Sequence, residues 1–155
     1  MKKWICALLA LLMLCTMASA ESAEPVCLNF EDGFSLSLPA GWLYYEPSGE
    51  MRQQNVLYCL SDAAGEGWLY VQRWESDCAD ADALLTMVNE EAKPISSGKY
   101  PFNGFDFVVY DLEQADVSCC ATLMNGSIFN FVFTPQSSPD FMVVAAQIIG
   151  TFTMT

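Results

Sequence analysis

An antiparallel β-sheet covered by helices, an α+β architecture of α/β/α sandwich type, is what the sequence predicts for residues 21–155. Three observations carry this. Two tight-turn signals, Glu31-Asp32-Gly33 and Asn125-Gly126, each sit between alternating apolar residues and mark antiparallel hairpins. Two segments, near 78–92 and 139–149, repeat apolar residues at helical spacing. In one late strand Phe129, Phe131 and Phe133 share one face while Ile128 and Val132 share the other. A strand apolar on both faces belongs to a sheet covered on both sides.

The elements follow in order. Val26–Phe30 and Phe34–Leu38 form the first hairpin. A three-residue loop with Gly33 left-handed pairs Phe30 with Phe34, Leu28 with Leu36 and Val26 with Leu38, so six apolar side chains share a face. A two-residue Asp32-Gly33 turn would instead set Asn29 against Leu36. Leu38-Pro39-Ala40-Gly41-Trp42 ends that strand, and Pro47-Ser48-Gly49-Glu50 reads as loop. Strands are predicted over Asn55–Leu60 and Trp68–Trp74, with Cys59 opposite Tyr70 if they pair. Asp77 reads as the N-cap of a helix over Cys78–Ala92, whose stripe is Ala81, Leu84, Leu85, Val88 and Ala92 and which Pro94 stops. After a loop at Ser96-Ser97-Gly98, strands are predicted near Tyr100, over Phe107–Leu112, Val117–Met124 and Ile128–Thr134. Ser138 caps a last helix with Pro139 first in it; Phe141, Val144, Ala145 and Ile148 form its stripe, and Gly150 ends it.

Composition narrows the function classes. The 155 residues hold 19 Asp and Glu against 6 Lys and Arg, with no histidine and a net charge of −13. Nucleic acid is a poor partner for so few cations, and imidazole chemistry is absent: no Ser-His-Asp triad, no histidine-ligated zinc. At 53% hydrophobic the chain is too apolar for disorder.

The first twenty residues read as a secretory signal peptide. Lys2 and Lys3 precede the apolar run from Trp4, and Ala18-Ser19-Ala20 offers small residues for cleavage after Ala20. Trp4 to Ala18 is 15 residues, short of the ~20 that a bilayer span needs. Leu14 before Cys15 does not fit the bacterial lipidation signal. Cleavage leaves 19 acids against 4 bases, a net charge of −15, on a single domain over 21–155 with no membrane span. The expected location is secreted or envelope-associated.

Five cysteines remain after cleavage: Cys27, Cys59, Cys78, Cys119 and Cys120. Each is a candidate for a disulfide or a free thiol, and an odd number leaves at least one unpaired. Adjacent Cys119 and Cys120 point to opposite faces of a strand, which suits neither a zinc site nor a mutual bridge. Cys78 lies eight residues beyond Tyr70, on the order of 25 Å along a straight strand, so bridging Cys59 to Cys78 is disfavoured. Asp77, Asp80 and Asp82 surround Cys78 and oppose a thiolate there.

The run Phe34-Ser35-Leu36-Ser37-Leu38-Pro39-Ala40-Gly41-Trp42 resembles the strand and turn, F-x-[IL]-x-[LY]-P-x-G-W, of the Mog1/PsbP-like superfamily. Gly104, the strand Phe107–Leu112, the hairpin around Asn125-Gly126 and the closing helix into Thr151-Phe152 are similar to it too. The resemblance spans about Val26 to Phe152. It implies an antiparallel sheet between helices and non-catalytic roles, as in a GTPase-binding nuclear protein, extrinsic photosystem subunits and exported bacterial proteins. No family binding residue carries over, because the shared motif is architectural, and the cysteines lie outside the pattern.

Candidate sites are few. Ser96-Ser97-Gly98-Lys99 has the S-x-x-K spacing of penicillin-binding enzymes but lies in a predicted loop without S-D-N or K-T-G partners. The acid groups Asp77/Asp80/Asp82, Glu90/Glu91 and Asp111/Glu113/Asp116 read as helix and strand ends; a carboxylate hydrolase would need two acids facing across a cleft. Aromatic rows are the stronger lead. Trp68, Tyr70 and Trp74 share one strand face, and Trp42, Tyr44 and Tyr45 sit at a strand end. Such rows stack on sugars or anchor a protein partner, although large aromatics also fill cores. The expectation is a non-catalytic exported binding or accessory domain with a protein or glycan partner, needing no metal or cofactor. The alternatives are a small carboxylate-based hydrolase and a structural subunit of a surface assembly.

Overall fold

The structure, a computed structural model, describes residues 24–155. The signal-peptide reading of residues 1–20, with its cleavage after Ala20, lies outside the described residues. Among the described residues, ten strands and three α-helices follow in the order β1 (Val26–Phe30), β2 (Phe34–Leu38), β3 (Leu43–Tyr45), α1 (Gly49–Gln53), β4 (Val56–Ser61), β5 (Trp68–Glu75), α2 (Ala81–Glu91), β6 (Ser96–Phe102), β7 (Phe105–Leu112), β8 (Val117–Met124), β9 (Ser127–Thr134), α3 (Pro139–Ile149) and β10 (Thr153–Met154).

Seven strands make one antiparallel sheet in the order β3-β4-β5-β9-β8-β7-β6, and β1-β2-β10 make a second, smaller one. Alternation divides the large sheet into two apolar faces. On one, Leu69, Val71, Phe107, Phe129, Phe131 and Phe133 pack against Phe34, Leu36 and Leu38 of β2, Phe141 and Ile148 of α3, and Phe152. On the other, Val108, Tyr110, Cys119, Ala121 and Ile128 pack under Leu84 and Val88 of α2. The antiparallel sheet with helical cover is as expected, but strands dominate: one face is covered by α2, the other by the small β-sheet with α3 beside it. The cause is the first hairpin, whose apolar face needs a partner surface and finds one on the large sheet.

That hairpin has the predicted register, Phe30 opposite Phe34, Leu28 opposite Leu36 and Val26 opposite Leu38. Gly33 is left-handed at φ 88°, and its N–H bonds to Phe30 O at 3.1 Å. Asp32 in the turn accepts from Tyr58 Oη at 2.7 Å and Arg73 Nη1 at 3.0 Å, tying the hairpin to the large sheet. Burial, then the hydrogen bond and negative charge of Asp32, push the Tyr58 phenol well above its usual range.

Three boundaries differ from expectation. The second helix begins at Ala81, not Cys78, because Asp80 rather than Asp77 is its cap and accepts from Asp82 N at 3.1 Å and Ala83 N at 2.9 Å. Cys78 N bonds instead to Ser76 Oγ, which keeps that segment out of the helix. Ser48 opens a short helix where Pro47–Glu50 reads as loop, its Oγ accepting from Met51 N. Ser96–Gly98 is strand rather than loop: it pairs with Asp111, Tyr110 and Val109. Ser96 Oγ also bonds Asp111 at 2.6 Å, and Lys99 Nζ reaches Asp82 at 2.7 Å.

Candidate functional site

The α2 helix covers only part of its sheet face. It packs over β6 and β7, and its apolar cluster reaches β8, Ile128 of β9 and Trp74 of β5. The β3-β4-β5 half of that face carries only the short α1, which contacts β4. The predicted row on β5 is therefore divided. Trp68, Tyr70 and Trp74 do share one face, but Trp74 packs into the α2 cluster with Cys78. Trp68 and Tyr70 are half-buried and belong to neither apolar cluster.

A third ring completes a shelf. The indole of Trp68 lies parallel to Tyr70, at 6° with ring centroids 6.0 Å apart. Tyr45 of β3 approaches Trp68 to 5.3 Å, because β3–β4–β5 pairing sets Tyr45 beside Cys59 and Cys59 beside Tyr70. Trp68 Nε1–H donates to Gly65 O at 3.1 Å, which fixes the indole. Burial and the neighbouring Cys59 push the Tyr70 phenol up. Beside the shelf runs a groove of about 310 Å³ lined by Met51, Gln54, Val56, Tyr70, Gln72 and Val132. Gln72 donates to Gln54 O at 3.2 Å and accepts from Asn130 Nδ2 at 3.1 Å. Asn130 Oδ1 is buried without a partner among the described residues.

Trp42 and Tyr44 lie elsewhere. Trp42 stacks on Phe141 of α3, centroids 6.3 Å apart at 13°, and packs against the hairpin-side core. Tyr44 is 56% exposed on β3, the outermost strand. Tyr45, its neighbour in sequence, is the ring that joins the shelf.

A second groove, of about 560 Å³, opens at the start of α3 beneath Trp42 and Phe141 and includes Asp62, Glu66 and Asp140 in its lining. Asp62 shapes the β4–β5 turn, accepting from Glu66 N and Gly67 N at 2.9 Å each. Gly67 touches this groove because it has no side chain: a Cβ there would overlap the Phe141 ring edge and sit 3.0 Å from Asp62 Oδ2. Gly67→Ala should therefore cost about 1–3 kcal/mol by overpacking, read as a lower urea midpoint. An unchanged midpoint would mean that Phe141 yields freely.

Of the acid groups singled out in sequence, Asp80, Asp82, Asp111 and Asp116 make structural contacts. Asp80 caps α2 and Asp82 pairs with Lys99. Glu90 and Glu91 are exposed at the end of α2. Asp111 holds Ser96, and Asp116 accepts from Ser137 N at 2.7 Å and Oγ at 2.9 Å. No cluster suited to a metal ion occurs among the described residues. The carboxylates that do line one cavity are Asp62 and Glu66 of the β4–β5 turn and Asp140 of α3, the last too far along the chain for spacing to signal.

The five cysteines among the described residues are free. Cys27 is exposed on β1, Cys78 is half-buried, and Cys59, Cys119 and Cys120 are buried. Burial pushes the Cys59 thiol up, pushes Cys119 up to about 11 and pushes Cys120 higher still. Hydrogen bonds with Tyr110 and Asn130 pull Cys119 back in part. These three thiols are protonated at neutral pH and poor nucleophiles.

No protein-family profile and no curated protein matches the sequence. Solved structures do. The solution structure of cyanobacterial PsbP (CyanoP) from Synechocystis sp. PCC 6803 matches 89% of this chain and 96% of its own, at 16% identity and a TM-score of 0.55. A crystal structure from Bacteroides thetaiotaomicron matches 79% of this chain at 14% identity and the same TM-score of 0.55. This chain spans 45% of that protein's length. The fold is PsbP-like.

Proposed function

We propose that the protein is a non-catalytic, exported binding or accessory domain of the bacterial envelope or exterior, which engages a partner through Tyr45, Trp68 and Tyr70. The observation that carries this reading is the pair of parallel rings, Trp68 and Tyr70, outside both apolar clusters on a half-face without a long helix. Rings left there gain from desolvation by a partner what core rings gain from folding. The PsbP-like fold is consistent with an accessory domain. Export is argued from the n-region, apolar run and cleavage motif of residues 1–20. No helix among the described residues is long and apolar enough to cross a membrane.

The carboxylate-hydrolase alternative gains one observation, three acids lining one groove. It is the weaker reading. Asp62 uses both oxygens on turn amides, and Glu66 and Asp140 are exposed, whereas acid–base catalysis by paired carboxylates requires environments that separate their roles.

The test is affinity capture from envelope and culture fluid with the wild type and a Trp68→Ala/Tyr70→Ala double variant, partners identified by mass. The double variant should keep its circular dichroism, lose about 1–3 kcal/mol because both rings are only half-buried, and lose the species that the wild type enriches. Equal capture by a folded double variant would remove the shelf as the binding surface.

A further inference from the structure

We propose that the groove at the start of α3 receives a lysine or arginine side chain from an extended, basic segment of the partner, whose neighbouring apolar residues cover the Tyr45–Trp68–Tyr70 shelf. This rests on the binding reading above and adds the partner's chemistry: a cationic polypeptide rather than a glycan.

Shape and charge agree on that occupant. The groove has an aromatic floor, Trp42 stacked on Phe141, and further apolar wall from Pro39, Pro135 and Val144. Such walls suit the aliphatic stem of a long basic side chain, and an indole at the floor attracts its charged head. Asp62, Glu66 and Asp140 bring three carboxylates, and no Lys or Arg lines the groove. Nor can the protein supply a cation of its own from the described residues. Arg52 is paired with Glu46, Arg73 with Asp32 and Lys99 with Asp82, while Lys93 lines a different groove beyond α2. The α3 N-terminus adds partial positive charge, which Asp140 in its first turn offsets; Asp62 and Glu66 remain in surplus. An anionic glycan would be repelled here, and a neutral one could hydrogen-bond the carboxylates but would leave their net charge uncompensated, whereas a basic side chain offsets it.

The route between groove and shelf is an open sheet edge. Gly67 lines the groove and Trp68, the next residue, begins the shelf. Trp42 at the groove immediately precedes the edge strand β3, and Tyr45 at the shelf ends it, three residues and about 10 Å on at strand rise. Between them Leu43 and Tyr44 are 48% and 56% exposed. The sheet's other edge, β6, carries Lys99 and Pro101, residues that discourage strand addition; β3 carries neither. An extended segment added along β3 would place alternate side chains toward the two sheet faces, one set toward the shelf and the other toward the groove.

The probe is an acetylated, amidated octapeptide of alternating arginine and valine, titrated into the full domain while amide and indole resonances are followed. Saturable shifts are expected at the Trp42 indole N–H and the Gly67 amide. They should weaken roughly five- to tenfold in a Glu66→Gln/Asp140→Asn double variant, and also with added salt. Asp62 is left intact because it holds the turn. Shifts of equal affinity in that variant, no saturable shift at Trp42, or the same shifts from a glutamate–valine octapeptide would overturn the proposal. The two readings separate cleanly. Peptide binding untouched by Glu66→Gln/Asp140→Asn, with envelope capture lost in Trp68→Ala/Tyr70→Ala, removes the groove and keeps the shelf. Capture untouched by Trp68→Ala/Tyr70→Ala removes the shelf reading and this proposal with it.

Discussion

Phe34→Ala should cost about 3–5 kcal/mol, a large share of the stability of a domain this size, for which about 5–15 kcal/mol is usual. Phe34 is fully buried where the small sheet meets the large one. Its ring lies 4.5 Å from Phe30, 5.5 Å from Phe131, 5.8 Å from Phe129 and 5.9 Å from Phe152, centroid to centroid. Those neighbours come from β1, β9 and the segment between α3 and β10, so one truncation opens a cavity shared by both sheets. Surrounding rings relax poorly into such a space, and the cavity term adds to the lost transfer energy. Phe34→Leu keeps much of the volume and should cost about 1–2 kcal/mol. Urea unfolding of the three proteins gives the comparison. A loss below about 1 kcal/mol for Phe34→Ala would mean that the first hairpin is a loosely attached flap, and that the large sheet does not depend on it for cover.

What could be read in advance follows from where the controlling interactions lie. The hairpin register was legible because Gly33 and the alternation from Val26 to Leu38 are local and agree. The limits of α3 were legible because Ser138, Pro139 and Gly150 are punctuation marks within the helix's own sequence. The start of α2 was not, because Asp77 and Asp80 are equally good caps about one turn apart, and the choice falls to Ser76 holding Cys78 N. Strand β6 lacks apolar alternation and owes its form to pairing with β7. Two apolar sheet faces announced two covers; that one would be a β-hairpin depends on long-range docking.

The same division applies to the candidate site. Period-two spacing put Trp68, Tyr70 and Trp74 on one face. Which of them stays uncovered depends on where α2 lands, and that is set by Leu84 and Val88 against Val108 and Ala121. Tyr45 joins the row only through strand pairing across β4. The groove assembles Asp62 and Glu66 of one turn with Asp140 of α3, more than seventy residues on, a juxtaposition that no local pattern encodes.

Raising the pH from 8 to 11 should destabilise this domain, and buried thiols and phenols are the cause. Burial, above all, pushes the Cys119 thiol up to about 11 in the fold from an ordinary 9.0. Its folded value is raised, so the stability linked to it is fully present below pH 9 and is lost as pH climbs toward 11, where the unfolded chain is already ionised. Two units correspond to roughly 2–3 kcal/mol. Tyr110, opposite Cys119 on β7, shifts the same way through burial and then the Cys119 charge. Cys120 follows, through burial and again Cys119, and Tyr58 adds to the trend. Because Cys119 and Tyr110 face each other across one strand pair, ionising either raises the other further, so the fold resists the second deprotonation more than the first. Stability measured by urea at steps from pH 8 to 11 should fall steeply above pH 9. In Cys119→Ala the starting stability is lower by its missing packing, but the slope between pH 9 and 11 should be shallower. The slope is the informative quantity, since lost packing shifts every point equally while lost titration changes only the alkaline limb. Parallel slopes for the two proteins would mean that the alkaline loss is not driven by Cys119 beneath α2.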